Sequence, residues 1–190
     1  MRKLIYYIAC TVDGFIAREN GAFDFFPMTG DHIPYIVREY PETIPTHFRE
    51  VMGARGNNRH FDAVIMGRET YEIGTLAGMT SPYSHLQQYV VSTTMAASLD
   101  PGVKLISNDP VGTVRALKAQ EGLSIWLCGG GRLAATLLNE IDEVILKINP
   151  VILGAGIPLF RLSEQVVNLD LIDASTFAGG VAIHRYRVVR

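Results

Sequence analysis

The sequence is poor in cysteine, and the two it has are badly placed for metal or disulfide chemistry. Cys10 and Cys128 each lie within an apolar, strand-like run, and neither has a second cysteine or a histidine at a zinc-like spacing. A structural zinc site and a disulfide framework are therefore excluded by spacing. We interpret both residues as buried thiols that pack as small hydrophobic groups.

The sequence also lacks a long hydrophobic run and a strong charge of either sign. No apolar stretch approaches the length that spans a bilayer, and the N-terminal residues lack the apolar core and cleavage site of a signal peptide. The net charge of −2 gives no general attraction for nucleic acid or an anionic membrane. We expect a soluble, cytoplasmic protein whose partners are small molecules, and any anion site must be local.

The most informative segment joins an apolar strand to three consecutive glycines. Residues 125–133 read Ile-Trp-Leu-Cys-Gly-Gly-Gly-Arg-Leu, and a helix-compatible stretch follows. Glycines allow a ligand to approach the backbone, and a helix start offers unpaired N–H groups and partial positive charge. The segment predicts phosphate or pyrophosphate binding by Gly129, Gly130 and Gly131, with Arg132 adding donors. The alternative is a tight strand-to-helix turn that uses glycine only for its backbone freedom.

A second junction of the same kind lies upstream. The strand-like residues 61–66 end at Gly67, and Arg68 and Thr70 open the next helix-compatible stretch. Arg68 can form charge-assisted hydrogen bonds to phosphate oxygens, and Thr70 can cap the helix or donate its hydroxyl. Two junctions suit a ligand with two anionic parts, such as a dinucleotide. Alternatively, Arg68 is a solvated surface residue and Thr70 a simple cap.

The order of elements predicts one α/β domain over residues 1–190, with a mostly parallel central sheet and a C-terminal antiparallel hairpin. Eight strands are predicted, at residues 3–10, 62–66, 88–92, 103–107, 124–128, 143–148, 169–177 and 181–188. Helices are predicted at residues 68–73, 109–120 and 132–139. Residues 18–30 form an irregular loop, and three prolines divide the helical stretches of residues 31–54.

In order and spacing, the motifs resemble those of the dihydrofolate reductase-like superfamily, and most closely its riboflavin-biosynthesis reductase branch. The resemblance rests on residues 8–17, 64–71, 90–94, 126–133 and 149–160. It implies a single-domain, three-layer dihydrofolate reductase-like fold and an NADP-dependent oxidoreductase. The riboflavin enzymes often carry a zinc deaminase domain with a His-x-Glu and a Pro-Cys-x-x-Cys motif. Neither motif occurs here, which implies a reductase-like domain without deaminase activity.

The resemblance also implies where NADPH would bind, namely at the carboxyl ends of the strands. Ala9 and Ile16 would flank the nicotinamide, and the three glycines with Arg132 would surround the pyrophosphate. In the family a cis peptide joins the first two of these glycines. Gly67, Arg68 and Thr70 would hold the 2′-phosphate and pyrophosphate side, and Ser92 and Thr93 would also contact the 2′-phosphate. The hydroxyls and arginines favour NADPH over NADH, although Ser92 and Thr93 are alternatively ordinary turn residues.

The substrate side departs from dihydrofolate reductase, since residues 20–31 contain no tryptophan. Asp31 is the first positional candidate for a catalytic carboxylate, and Asp24 is the second. Asp13, in the Asp13-Gly14 pair, resembles a residue that lies beside cofactor and substrate in the riboflavin branch. Each carboxylate is alternatively a solvated loop, turn or cap residue. Of the histidines, only His32 beside Asp31 is a site candidate.

These observations predict hydride transfer from NADPH to a small pterin- or pyrimidine-like substrate, with a proton from water or from an acid such as Asp31. One alternative is a catalytically silent dinucleotide-binding module whose pocket is closed by Phe23, Phe25, Phe26 and Tyr35. Those aromatic rings could instead stack on a flat substrate. Another alternative is a reductase that uses a flavin. The family habit of pairing C-terminal strands implies a homodimer.

Overall fold

A central sheet of eight strands organises the chain in a computed structural model that describes residues 1–161 and 165–190. A separate two-stranded sheet contains β2 and β8. The strands are β1 (Leu4–Thr11), β2 (Phe15–Ala17), β3 (Phe61–Gly67), β4 (Gln87–Val91), β5 (Val103–Ile106), β6 (Ser124–Gly129), β7 (Ile141–Asn149), β8 (Ile157–Pro158), β9 (Leu169–Thr176) and β10 (Ala182–Val188). The helices are α1 (His32–Glu39), α2 (Thr46–Arg49), α3 (Arg68–Leu76), α4 (Pro110–Lys118) and α5 (Gly131–Thr136), with 3₁₀ turns at Pro41–Thr43 and Leu138–Glu140.

The order of strands in the large sheet is β5-β4-β3-β6-β1-β7-β10-β9. Neighbouring strands from β5 to β7 pair in parallel, so their carboxyl ends meet at one edge. Strand β10 runs antiparallel to both β7 and β9. The structure thereby confirms the mostly parallel sheet and the C-terminal antiparallel hairpin.

Both faces of the sheet are covered, which gives the three layers that the resemblance implied. Along β1 the side chains alternate, so that Ile5 and Tyr7 face one core while Leu4 and Tyr6 face the other. Helices α1 and α3 pack on the first face, and helices α4 and α5 pack on the second. We call these the α1 face and the α4 face.

The connections that leave β3 and β6 run in opposite directions across the sheet, and we call the place between the carboxyl ends of these two strands the reversal point. From β1 the chain passes through α1 to β3 and through α3 to β4, moving toward one edge. It then returns through α4 to β6 and through α5 to β7. Right-handed crossovers in opposite directions place their helices on opposite faces, which opens a crevice at the carboxyl ends of β3 and β6. Open α/β sheets bind ligands at such a point.

Local chemistry accounts for the helix starts. The Oδ1 atom of Asp109 accepts a hydrogen bond from the N–H of Gly112 at 2.8 Å, and Pro110 occupies the first turn of α4. Pro34 likewise lies in the first turn of α1, where the missing N–H costs no hydrogen bond.

The predicted strands match the observed ones to within two residues at each end, and the predicted helices correspond to α3, α4 and α5. The sequence did not predict β2 and β8, which form a short antiparallel pair. At three and two residues these strands are too short to show a periodic pattern. Within residues 1–161 and 165–190 no helix exceeds nine residues, which is too short to cross a bilayer.

Candidate functional site

The crevice at the reversal point brings the two predicted glycine junctions together. Met66 of β3 lies opposite Gly129 of β6, so the ends of the two strands are adjacent. A methyl group placed on Gly130 would lie 3.7 Å from Cδ1 of Ile16 and 3.9 Å from Oγ1 of Thr70. Two of the predicted cofactor residues therefore flank the backbone of a third.

The helices that leave these junctions begin without a side-chain cap. Gly67 is the N-cap residue of α3 and Gly130 that of α5, and neither position can supply a side-chain acceptor. The first N–H groups of α3 are therefore available to an anion at the crevice. Arg68 and Arg132, the residues that the sequence singled out for their charge, are both exposed.

The glycine triplet has the backbone form that the resemblance implied. The peptide bond between Gly129 and Gly130 is cis, and Gly129 has a φ of 126°. Gly131 has a different role, because a methyl group there would lie 2.1 Å from the carbonyl oxygen of Pro158. Its own carbonyl accepts a hydrogen bond from the N–H of Arg161 at 3.0 Å. Gly131 thus allows the β8 segment to pack closely against α5.

Arg68 has weak partners in the structure. Its guanidinium lies 3.2 Å from Oε1 of Glu72, one helical turn away, and 4.0 Å from Oε1 of Glu69. The side chains of Arg68 and Glu72 are about two-fifths exposed, and exposed ion pairs of this kind contribute at most about 1 kcal/mol. A bound phosphate could therefore replace Glu72 as the partner of Arg68.

Ser92 and Thr93 follow β4, next to the start of α3. Val91, the last residue of β4, lies opposite Gly67. The buried Ser92 hydroxyl accepts hydrogen bonds from the N–H groups of Thr94 and Met95, at 3.2 and 3.1 Å. These are the contacts of an ordinary turn residue, which was the alternative role for Ser92. Thr93 is exposed at the same edge of the sheet, and its binding role stays a prediction.

The carboxylate of Asp13 ties the β1–β2 turn to the segment before β8. Its Oδ2 atom accepts a hydrogen bond from the N–H of Gly154 at 2.7 Å, and the N–H of Leu153 lies 3.1 Å from both oxygens. The hydroxyl of Thr11 and then these N–H groups lower the pKa of Asp13 below its ordinary value. Asp13 is therefore ionised at neutral pH. Its observed contacts position a loop, and its catalytic role stays a prediction.

Asp31 is the N-cap residue of α1, but its side chain makes no capping hydrogen bond. Instead, Oδ2 accepts a hydrogen bond from the N–H of Ala178, in the β9–β10 turn, at 2.8 Å. That N–H group lowers the pKa of Asp31. Asp31 stays a predicted site residue. At neutral pH its carboxylate can accept a hydrogen bond but has no proton to donate, which argues against its use as the acid.

The aromatic residues proposed to line the pocket do not form one layer. Phe26 is buried, and its ring centroid lies 4.5 Å from that of the half-buried Phe25. Tyr35 packs against Phe177 with the ring centroids 5.2 Å apart. Phe23 is exposed. Phe26 and Tyr35 thus pack inward, whereas Phe23 and Phe25 retain exposed surface.

Two residues on the α1 face, His32 and Lys147, have polar side-chain groups without a hydrogen-bond partner among the described residues. His32, already a candidate, is 1% exposed, and neither ring nitrogen has a hydrogen-bond partner among the described residues. Lys147 of β7 was not singled out from the sequence. Its direct neighbour in β1 is Ala9, which the resemblance placed beside the nicotinamide. Its place directly after the apolar residues 144–146 of β7 was the available signal.

The thiols are unreactive in this environment. Burial raises the pKa of Cys10 to about 11 and that of Cys128 to about 12, so both are protonated at neutral pH. A thiolate nucleophile is therefore not available at the crevice from either residue.

Comparison with known proteins agrees with this geometry. The family model described as the RibD C-terminal domain matches residues 2–183. The chain is 31% identical over 191 residues to the uncharacterized protein YwjB of Bacillus subtilis, covering 98% of each chain. A putative riboflavin biosynthesis protein from Shewanella sp. PV-4 superposes over the whole of both chains with a TM-score of 0.73 and 22% identity.

A further solved structure carries a more specific name. It is a diaminohydroxyphosphoribosylaminopyrimidine deaminase/5-amino-6-(5-phosphoribosylamino)uracil reductase from Thermotoga maritima, with a TM-score of 0.68 and 18% identity. The match covers 99% of this chain and 57% of that one. At such identities the two solved structures show a shared fold.

The close packing at Gly131 generates a stability prediction. We expect Gly131→Ala to lower the free energy of unfolding by about 1–3 kcal/mol, because the new methyl group overlaps the Pro158 carbonyl oxygen. Gly179→Ala is the matched control, since a methyl group there meets nothing within 4 Å. Urea unfolding measures both. Equal stability of the two variants would contradict the packing role of Gly131.

Proposed function

The chain belongs to the RibD C-terminal domain family, and on this premise we propose that it is an NADPH-dependent reductase. The acceptor that we propose is a small planar molecule of the pyrimidine or pterin type. The observation that carries the proposal is the crevice at the reversal point, where the uncapped starts of α3 and α5 lie side by side. The reductase named in the Thermotoga relative supports the same reaction class.

The residues at the carboxyl edge fit a dinucleotide in extended form. From β4 to β1 the edge crosses three strand spacings, roughly 14 Å. We propose that Arg68 and Thr93 hold the 2′-phosphate at the β4 end, and that the backbone of Gly129–Gly131 with Arg132 contacts the pyrophosphate. Ala9 and Ile16 would then contact the nicotinamide at the β1 end.

In this mechanism the nicotinamide supplies the hydride, and the protein supplies position and electrostatics. Ile16 and Thr70 both lie within 4 Å of the position that a methyl group on Gly130 would take, and we propose that they limit where the cofactor backbone can lie. The contact of Asp13 with Leu153 and Gly154 fixes the β1–β2 turn, and Ile16 lies in β2 directly after this turn. Because Asp13 and Asp31 are both ionised at neutral pH, water is the proton source that we propose for the reduced acceptor.

Turnover separates this proposal from the catalytically silent module. We expect steady NADPH oxidation, followed by the loss of the absorbance of the reduced cofactor, with at least one member of a pterin, pyrimidine and quinone panel. The purified protein should be colourless, which removes the flavin alternative. Tight NADPH binding without turnover on any acceptor would contradict the reductase and favour the silent module, whose inward-packed Phe26 would close the pocket.

Cofactor discrimination tests the arginine assignments. We expect Arg68→Ala to weaken NADPH binding by about 10- to 100-fold, the value of a charge-assisted hydrogen bond, and to leave NADH binding nearly unchanged. Arg132→Ala is the matched comparison and should weaken both cofactors alike, since both contain the pyrophosphate. Fluorescence titration measures the four affinities. Equal loss of NADPH and NADH in Arg68→Ala would refute the 2′-phosphate assignment.

We also propose a homodimer that forms through β9. This edge strand is exposed along most of its length, and Leu169, Leu171 and Ile172 present apolar side chains to solvent. Long exposed apolar edge strands tend to pair with another chain. Residues 151–160 are a second apolar segment, but they pack in part against β2 and α5.

A charge introduced at the centre of β9 tests the proposed dimer. We expect Leu171→Glu to raise the dimer dissociation constant at least about tenfold, because a carboxylate would be buried without a partner in the interface. Leu99→Glu is the control, since Leu99 is exposed to a similar degree far from β9 in sequence. Sedimentation velocity measures the association state. A wild-type monomer at micromolar concentration would contradict the dimer.

A further inference from the structure

Lys147 occupies a central position on the α1 face of the sheet. It lies between Ala9 of β1 and Ile183 of β10, its direct neighbours in register. Ile145, two residues earlier on β7, packs in the core of the α1 face. Because alternate residues of a strand share a face, the Lys147 side chain extends on that same side.

The charge of Lys147 has no partner within residues 1–161 and 165–190. The other charged side chains that are buried in the sheet region have partners: Arg2 pairs with Asp62, Lys118 with Asp142, and Glu143 with Lys3 and Arg185. Lys147 has neither an ion pair nor a side-chain hydrogen bond, and its Nζ lies 6.0 Å from the centroid of the Phe26 ring. Burial lowers its pKa.

His32 of α1 is a second polar group nearby with unused hydrogen-bonding capacity. Its side chain is 1% exposed, and both ring nitrogens lack a partner among the described residues. Burial, followed by the positive charge of Lys147, lowers the pKa of His32, so the imidazole is neutral at neutral pH. Lys147 is half-buried and His32 is buried, and polar groups withdrawn from water without partners carry a cost that a ligand could offset.

Lys147 lies next to the position that we propose for the nicotinamide, from which the hydride would be transferred. Under the proposed function, the pyrophosphate would lie at the carboxyl ends of β3 and β6, and the nicotinamide would lie beside Ala9 of β1. Lys147 is the next position across the sheet, about 4.8 Å further from β6. An acceptor stacked on the nicotinamide would therefore bring one edge toward the ammonium group.

We propose that Lys147, with His32 beside it, forms an anion-recognition subsite for the hydride acceptor. The acceptor class is a planar heteroaromatic ring that presents a carboxylate or an acidic imide oxygen toward β7. This inference rests on the proposed function and adds to it the residue that selects the acceptor.

The subsite also fits the charge flow of the reaction. The C–H bond of the dihydronicotinamide breaks, and a new C–H bond forms on the acceptor. The π pair of the reduced double bond moves to the acceptor heteroatom, and water supplies the proton that completes the product. Because negative charge grows on the acceptor during this step, a fixed ammonium beside it stabilises the transition state more than the ground state.

Two probes that differ by a charge test the subsite. With the protein saturated with NADP⁺, orotate and uracil are titrated by calorimetry; both are planar pyrimidines, and only orotate carries a carboxylate. We expect wild type to bind orotate at least about tenfold more tightly than uracil. Lys147→Met should remove this preference, and Lys147→Arg should retain it. Lys104→Met, at an exposed lysine of β5, is the charge control and should behave as wild type.

The outcomes separate this subsite from the cofactor site. NADP⁺ affinity should stay within about twofold of wild type in all three variants, because Lys147 lies outside the proposed cofactor contacts. A preference for orotate that survives in Lys147→Met, or wild type that binds neither probe, would overturn the subsite and leave the cofactor proposal intact. Wild type that fails to bind NADP⁺ would instead overturn the proposed function. Near-ultraviolet circular dichroism verifies that each variant is folded.

Discussion

Close backbone packing between three chain segments is the constraint on which the candidate site depends. A methyl group on Gly131 would lie 2.1 Å from the Pro158 carbonyl oxygen, and one on Gly156 would lie 2.3 Å from that of Ala17. These contacts hold β8 against both α5 and β2. Since β2 carries Ile16, which lies close to Gly130, the same packing positions Ile16 at the glycine junctions.

The negative and the positive side chains of the candidate site differ in how firmly they are paired. Carboxylates at its border are engaged by backbone N–H groups and stay ionised, as Asp13 and Asp31 show. Of the positive groups, Arg68 has only an exposed, exchangeable partner, and Lys147 has none among the described residues. Charges that are weakly paired in the protein are those that a ligand can recruit at low cost. With a net charge of only −2, the chain has no general attraction for an anion, so the anion binding that we propose depends on such local groups.

The sequence predicted the large sheet well because buried parallel strands and glycine-ended junctions leave strong local signals. It missed β2 and β8, since so short a pair is formed by tertiary packing at Gly131 and Gly156. The structure brings the glycine junctions and Thr70 close together, and their binding role stays a prediction. The turn role of Ser92 depends on the local backbone conformation after β4, and the loop contacts of Asp13 involve N–H groups 140 and 141 residues away in sequence. Lys147 was not predicted as a site residue, because only the strand register shows that it lies beside Ala9.

The central claim is that the carboxyl edge from β4 to β1 is an NADPH site, and a crystal structure of the protein with NADP⁺ tests it most directly. The account predicts the pyrophosphate against the backbone of Gly129–Gly131, the 2′-phosphate within hydrogen-bond distance of Arg68, and the nicotinamide beside Ala9 and Ile16. In that complex the guanidinium of Arg68 should have turned from Glu72 to the phosphate. A cofactor bound elsewhere, or a nicotinamide remote from β1, would contradict the account.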